Sequence, residues 1–310
     1  DFQPIAVEER GNDVLIKGAG FEIVFDCVHA VLSDWWSDGR KLIKSGPRLN
    51  FWRATTDNDR SWTNAKPWRD AGLPNLRHRT DGVEVTQPAP GVARIAVRVR
   101  IAPPIHGRAF ECDYTYTIHG NGDLLIETHG VPRGDWPDTL PRIGLQMTIP
   151  RSLDRVSWFG RGPGESYPDT KQAGRFGLHA RTVDELFTPY IRPQENGNRS
   201  DVSWVALADL RGAGLLAVGQ PTLDFSAHRF TTADIEEARH TCDLVSRDEI
   251  TLNLDYRHNG IGSASCGPGP LPQYLLRPKE FRFRVILKPF SRDAMSWAEV
   301  RRRCAVSTEC

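Results

Sequence analysis

The chain has 310 residues, long enough for two average domains or one large all-β domain. Its 40 Lys and Arg balance 39 Asp and Glu, a formal net charge of +1, which excludes a dedicated nucleic-acid binder with a basic excess on one face. No apolar run approaches the ~18 residues of a membrane span. The 39% hydrophobic and 25% charged fractions suit a packed core rather than a disordered chain. The 27 glycines and 22 prolines exceed the usual combined share of about 12% and predict many turns between short strands.

The chain opens on Asp1 without a basic, apolar, small-residue leader, so the expectation is a processed chain or a piece of a longer one. Cys27, Cys112, Cys242, Cys266, Cys304 and Cys310 are scattered, with no CxxC. They read as free thiols of a reducing, cytoplasmic compartment, and no Cys/His pair has zinc-ligand spacing.

In chain order, Val14–Ile16 and Phe21–Phe25 flank Gly18-Ala19-Gly20, a hairpin signal. Ile95, Val97, Val99 and Ile101 share one strand face, with arginines on the other. Phe110, Cys112, Tyr114, Tyr116 and Ile118 repeat the period, and Gly120-Asn121-Gly122-Asp123 turns the chain into Leu124–Ile126. Further strands are expected at Ile143–Ile149, Val202–Leu207, Leu215–Val218, Thr251–Tyr256 and Phe281–Leu287. Helical signals are few. Asn64–Ala71 predicts one short turn, and Thr231–Arg239 has a Thr cap followed by acids suited to the helix dipole. Ser291–Cys304 reads as a terminal helix ending in the solvated run Arg301-Arg302-Arg303. Many strands with no interrupting helices predict one antiparallel sandwich over residues 1–310, with 291–310 as a terminal helix and tail.

Four loops concentrate polar chemistry. Phe51–Arg60 holds Asp57, Asn58 and Asp59, which either line a polar pocket or close a turn through Asp57 and Asn58. Trp158–Asp169 is glycine-rich, but it lacks GK[ST] and is broken by Pro163, so it is no phosphate cradle. Thr188–Arg199 combines Glu195, Asn196 and Asn198 with two arginines, the density of hydrogen-bonding groups that sugars need; Tyr190 and Trp204 are its available aromatic faces, although a Trp is more often core. Asp255–Pro268 holds His258, either a general acid or base or a satisfied structural histidine. It also holds the permissive Gly260 and Gly262, and Cys266, a nucleophile or a packed thiol without a basic neighbour.

Taken together and in this order, Arg53-Ala54-Thr55-Thr56-Asp57-Asn58-Asp59, Gly160–Asp169, Tyr190–Gly197 and Gly260–Pro268 resemble the C-terminal small-chain domain of glycoside hydrolase family 2 β-galactosidases. The resemblance runs from about Val14 to about Pro289. It implies an all-β, large antiparallel supersandwich similar to the galactose-mutarotase fold. It also implies an enzyme that hydrolyses terminal β-galactosyl residues with retention, using two glutamates about 5–5.5 Å apart. Those glutamates belong to a (β/α)₈ barrel. This chain has no alternating βα pattern, so the barrel, with the Mg and Na ions the resemblance implies, lies outside it, and the chain alone carries no cofactor and is expected to be inactive. The domain lends loops to the active-site mouth. By this resemblance Arg53, Asp57, Asn58, His258, Gly262, Cys266 and Gly267 are substrate-binding candidates, and Glu165, Glu195 and Asn196 are secondary ones. Some relatives carry a Trp near Gly267, and here Cys266 or Gly267 takes its place. Implied partners are the β-galactoside, the remaining β-galactosidase domains and further copies in a homo-oligomer.

Other readings stay open. A mutarotase-like epimerase would pair His228 or His258 with Glu195 in one concave pocket. A sugar-binding or packing module would make no active-site contact, and a glycosidase inside this chain would use Glu165 and Glu195. Trp35, Trp36, Trp52, Trp62 and Trp68 crowd the N-terminal quarter and, if exposed together, would form an interface patch.

Overall fold

The computed structural model describes residues 2–60, 64–104, 107–293, 296 and 299–300. Among these described residues, seventeen strands hydrogen-bond into one continuous antiparallel sheet that folds on itself. One layer starts with the meander β1 (Ala6–Arg10), β2 (Asp13–Gly18), β3 (Phe21–Asp26), β4 (Val31–Ser37) and β5 (Arg40–Ile43). It continues through β6 (Ser45–Asn50) to β11 (Arg142–Pro150) and β16 (Glu249–His258). The facing layer runs β7 (Arg77–Ala89), β8 (Val92–Ala102), β9 (Ala109–His119), β10 (Leu124–Arg133) and β17 (Phe281–Ser291). Next come β15 (Ala213–His228), β14 (Arg199–Ala208), β12 (Arg155–Gly162) and the edge strand β13 (Arg175–Thr182). β15 joins the layers, because Ala213–Gln220 pair with β17 while Asp224–His228 pair with β16.

The alternation expected for β8 is present: Ile95, Val97, Val99 and Ile101 are buried, while Arg94 and Arg98 are exposed. Between the layers Phe51 stacks on Phe110 at 4.0 Å, Phe25 meets the edge of Tyr116 at 5.2 Å, and the Leu49 amide donates to the Tyr114 hydroxyl at 3.1 Å. Burying such side chains supplies about 1.5–3 kcal/mol each, the largest favourable term in the fold.

The expected helices form as α1 (Ala65–Asp70) and α3 (Thr232–Glu237), with α2 (Val183–Leu186) in addition. Thr231 caps α3 reciprocally with Asp234, satisfying two otherwise orphaned amides. Among the described residues no helix is long and apolar enough to cross a membrane. Cys27, Cys112, Cys242 and Cys266 are free thiols, and Cys304 and Cys310 lie outside the described residues.

Several expectations are corrected. Trp158–Gly162 belongs to β12, so the second loop begins at Pro163. Its glycines obscured a strand: a Cβ on Gly160 would lie 2.7 Å from Val202 Cα, and only glycine lets β12 and β14 approach there. β7 escaped notice because it is mostly exposed and lacks a clean apolar face. The tryptophans form no common patch. Trp35 and Trp68 are fully buried, Trp52 packs beside Trp68, Trp36 is exposed, and Trp62 lies outside the described residues. The expected terminal helix cannot begin at Ser291, which closes β17; the remainder of 291–304 is described only at 292–293, 296 and 299–300.

Candidate functional site

The four polar segments converge at one end of the sandwich, and Arg53 is their keystone. Fully buried, it forks onto Asp59 (Nε–Oδ2 3.2 Å, Nη2–Oδ1 2.9 Å) and donates from Nη1 to the Asn259 carbonyl at 2.8 Å, 206 residues away in sequence. Its guanidinium also lies over the Trp68 ring at 5.4 Å. Asp59 accepts the Thr56 amide at 3.0 Å and the Thr56 hydroxyl accepts the Asp59 amide at 3.1 Å, so Thr56 and Asp59 close this turn, not Asp57 and Asn58. Those two are freed for other partners. The Asp57 amide donates to Gln194 Oε1 at 2.8 Å, and Asp57 itself is exposed.

Asn58 fastens the fourth loop. Its Nδ2 donates to the Gly262 carbonyl at 2.7 Å, and its Oδ1 accepts the Ser265 amide at 3.0 Å. Asp169 accepts the Ile261 and Gly262 amides at 3.1 and 2.7 Å. Gly262 has φ +60°, and a Cβ there would lie 2.8 Å from Pro270 Cδ, so this turn requires glycine twice over. Ser263 closes a tight turn with Gly267 and Pro268. The result is a rim in which Ser263, Ser265, Cys266 and Gly267 are exposed on a loop held from beneath.

Under the rim lies a seam of buried charge between β11 and β16. Arg142 donates to Asp255 (Nε–Oδ1 3.2 Å) and pairs with Glu195 at 3.5 Å, while His258 Nε2 sits 2.9 Å from Asp255 Oδ2. Burial pushes the Asp255 carboxyl up, but Arg142 and His258 bring it below its ordinary value. Burial and Arg142 push the His258 pKa below its ordinary value, against the opposing pull of Asp255 and Glu195. Tyr167 donates to Glu195 Oε1 at 3.4 Å, and burial with Glu195 and Glu165 raises its phenol well above the usual range. Glu165 is engaged by the Gly197 amide (2.7 Å), the Thr188 hydroxyl (3.0 Å) and the Tyr190 hydroxyl. Asn196 is buried, its Oδ1 accepting the Thr188 amide at 3.0 Å.

The candidates thus divide by position. Asp57, Asn58, Gly262, Cys266 and Gly267 lie on or at the rim, whereas Arg53, His258, Glu195 and Asn196 are buried behind it and Glu165 is tied into the third loop. His258 and Glu195 meet at Arg142 inside the protein, and the buried His228 faces the Asn196 carbonyl at 3.0 Å. Tyr190 is partly exposed, but Trp204 is not an aromatic face for these loops. It is buried in a separate cluster on the other side of its strand.

Sequence reasoning did not single out Arg142, Asp255, Asp169 or Glu236, whose Oε1 accepts the Thr55 hydroxyl at 2.8 Å from α3. Arg142 follows Leu140-Pro141 at the start of a strand pattern, a place where an arginine ordinarily faces water, so its burial had no local signal. Among the described residues no group of three or more His, Cys, Asp or Glu could hold a metal ion.

Residues 17–287 match the family described as beta galactosidase small chain. The chain is 31% identical over 261 residues to a protein named beta-galactosidase from Priestia megaterium, covering 83% of this chain and 24% of that one. It is 32% identical to beta-galactosidases of Vibrio cholerae (91% and 27% covered) and Kluyveromyces lactis (88% and 27% covered). The chain therefore spans about a quarter of the length of these relatives. Among solved structures, a galactose 1-epimerase from Lactobacillus acidophilus NCFM aligns over 94% of this chain and 99% of its own at TM-score 0.47 and 12% identity. With a family match over 271 residues of a supersandwich whose loops meet at one rim, the chain belongs to the beta-galactosidase small chain family.

Proposed function

We propose that this chain is the C-terminal domain of a β-galactosidase that hydrolyses terminal β-galactosyl residues with retention, and that it shapes the mouth of the active site. The two catalytic glutamates, and the Mg and Na ions the resemblance implies, belong to the part of the enzyme outside this chain. The observation that carries the reading is the double latch on the loop 258–268: Arg53 holds its start and Asn58 holds its middle, while Cys266 and Gly267 stay exposed. A loop fixed from behind and built of small residues can approach a sugar closely without filling its pocket.

Asp57, Asn58, Gly262, Cys266 and Gly267 are then the groups nearest substrate, and Arg53 and His258 act behind them as positioning residues. In a retaining enzyme the carboxylates supply the bond chemistry, one as nucleophile and one as acid and then base. A rim loop adds binding energy and excludes water. It should therefore act on KM more than on kcat.

Steady-state kinetics of Cys266→Trp and Cys266→Ala in the full-length enzyme test this. The expected result for Cys266→Trp is a KM raised about tenfold with kcat within about twofold. Wild-type constants for both variants would remove the loop from the sugar site. The isolated 310-residue chain should not hydrolyse a chromogenic β-galactoside. Turnover that disappears in Glu165→Gln or Glu195→Gln would place the chemistry inside this chain instead.

A further inference from the structure

β15 changes partners partway along its length. Gln220 is its last residue paired with β17, and Asp224 is its first paired with β16, opposite Asp255. Its neighbour β14, in the second layer, loses register at the same place. Arg199 lies opposite Phe225 and Val202 opposite Leu223, so Ser200 and Asp201 together face Asp224 alone. Where the strands part and bulge they leave a cavity of about 340 Å³, walled also by the short 3-10 helix Pro272–Tyr274. Small-molecule sites begin at about 300 Å³. The cavity lies behind the start of the loop 258–268, whose Gly260 amide donates to the Tyr274 carbonyl at 2.8 Å, and none of Asp57, Asn58, Gly262, Cys266 and Gly267 lines it.

The lining is polar, and its charges are already matched. Asp201 accepts from Arg161 Nε at 2.7 Å and from Lys171 Nζ at 2.8 Å. Its φ of +55° lies in the left-handed region, and its amide donates to Asp224 Oδ1 at 3.1 Å. The other Asp224 oxygen has no hydrogen-bond partner among the described residues, although the residue is only partly exposed. Burial and Asp255 favour its protonated form below about pH 7, so there it meets the cavity as a donor. The exposed Arg257 lies over the Tyr256 ring at 5.2 Å, and Phe283 stacks on that ring at 5.5 Å, which leaves the edge and hydroxyl of Tyr256 to the cavity. Tyr274 stacks on no ring among the described residues and keeps a free face, and neither tyrosine hydroxyl has a partner among them.

Such a site has little net charge to neutralise. It offers a carboxyl, two phenol hydroxyls and one open aromatic face. A ring carrying several hydroxyls meets all of these, because each hydroxyl both donates and accepts and the C–H face rests on the aromatic ring. An ion would meet charges already paired, and an apolar molecule would leave Asp224 and the tyrosine hydroxyls unsatisfied. We propose that the cavity between β14, β15 and β16 binds a neutral monosaccharide in its pyranose form, with Asp224 and Tyr256 as hydrogen-bonding groups and Tyr274 as its platform. The assignment stands apart from the β-galactosidase reading, since none of the rim residues takes part.

Saturation-transfer NMR and calorimetric titration of the 310-residue chain with D-galactose and with D-glucose, at about pH 6, test the site. At least one of the two sugars should saturate it with a Kd on the order of 1–10 mM. Tyr274→Ala and Asp224→Ala should each weaken binding at least about tenfold. Asp224→Asn keeps an acceptor for the Asp201 amide and a donor toward the cavity, and should stay within about threefold of wild type. Asp57→Ala, at the rim, is the control and should leave the affinity unchanged. If Asp224→Ala does not fold, Tyr274→Ala, at a partly exposed residue, decides the matter. Absence of saturation by about 50 mM of either sugar, wild-type affinity in Tyr274→Ala, or a loss in Asp57→Ala alone would overturn the assignment.

Discussion

The seam beneath the rim and the outer face of the second layer are both buried, and they are built from opposite materials. At the seam, Arg142, Asp255, Glu195 and His258 are enclosed together, as are Arg53 and Asp59 nearby. On the outer face Trp204, Val218, Ile286 and Val300 are enclosed without charge. An apolar surface needs only a cover of about the right shape, and many covers serve. A buried charge needs a particular partner at a particular distance, and the partner's loss costs more than the pair's presence contributes. The seam therefore holds the four loops in one arrangement, whereas the outer face only has to be closed.

The largest effect should come from breaking the seam while leaving charges behind. Arg142→Ala strands Asp255 and Glu195 in the interior and should cost about 3–5 kcal/mol in urea unfolding. Replacing Arg142 by Met together with Asp255 by Leu and Glu195 by Gln, which leaves no stranded charge, should recover much of it. A cost for Arg142→Ala below about 1 kcal/mol would erase the distinction between the two regions.

A pH measurement sharpens it. Burial and the neighbouring Asp255 push the Asp224 carboxyl up to about 7, against the hydrogen bond from the Asp201 amide and the charge of Lys171, while the Asp201 charge adds to the rise. Between its ordinary value of 3.8 and about 7 the folded chain holds a proton that the unfolded chain has lost. Asp224 therefore makes stability fall as pH rises through that window, by at most about 1.4 kcal/mol per pH unit, and level off above it. Asp224→Asn keeps an acceptor for the Asp201 amide, bonded at 3.1 Å, and should lose this dependence. Equal slopes for wild type and variant between pH 5 and 7 would contradict the assignment.

Arg53→Lys keeps the charge and loses the planar fork on Asp59 and the Asn259 carbonyl. About 2 kcal/mol of stability should go. Hydrogen exchange should quicken at the Gly260, Ile261 and Gly262 amides, which donate to Tyr274 and Asp169. Unchanged exchange there would mean that Arg53 does not hold the loop. The smallest effect is expected at Thr231→Ala, which removes one side of the α3 cap for about 1 kcal/mol by thermal unfolding and leaves the seam untouched.

Strand periodicity made most of the sandwich readable. Ile95 to Ile101 and Phe110 to Ile118 alternate because each strand buries one face, and that pattern is local. The polar loops were legible as clusters of amides, acids and glycines, since such runs cannot pack in a strand core. The pairing of those groups was not legible. Arg53 and Asn259 meet across 206 residues, and Arg142 and Asp255 across 113. Nothing adjacent to either partner distinguishes a buried arginine from one in water.

The same limit separates Trp204 from a sugar platform. An aromatic residue in an alternating strand faces one side or the other, and which side is core depends on the layers built around it. Composition and period come from short-range backbone geometry and belong to the sequence. The closing of the rim over the seam, and the packing of Val300 against the outer face, depend on segments distant in the chain arriving at one place, so only the tertiary structure decides which charged and which apolar side chains are buried together.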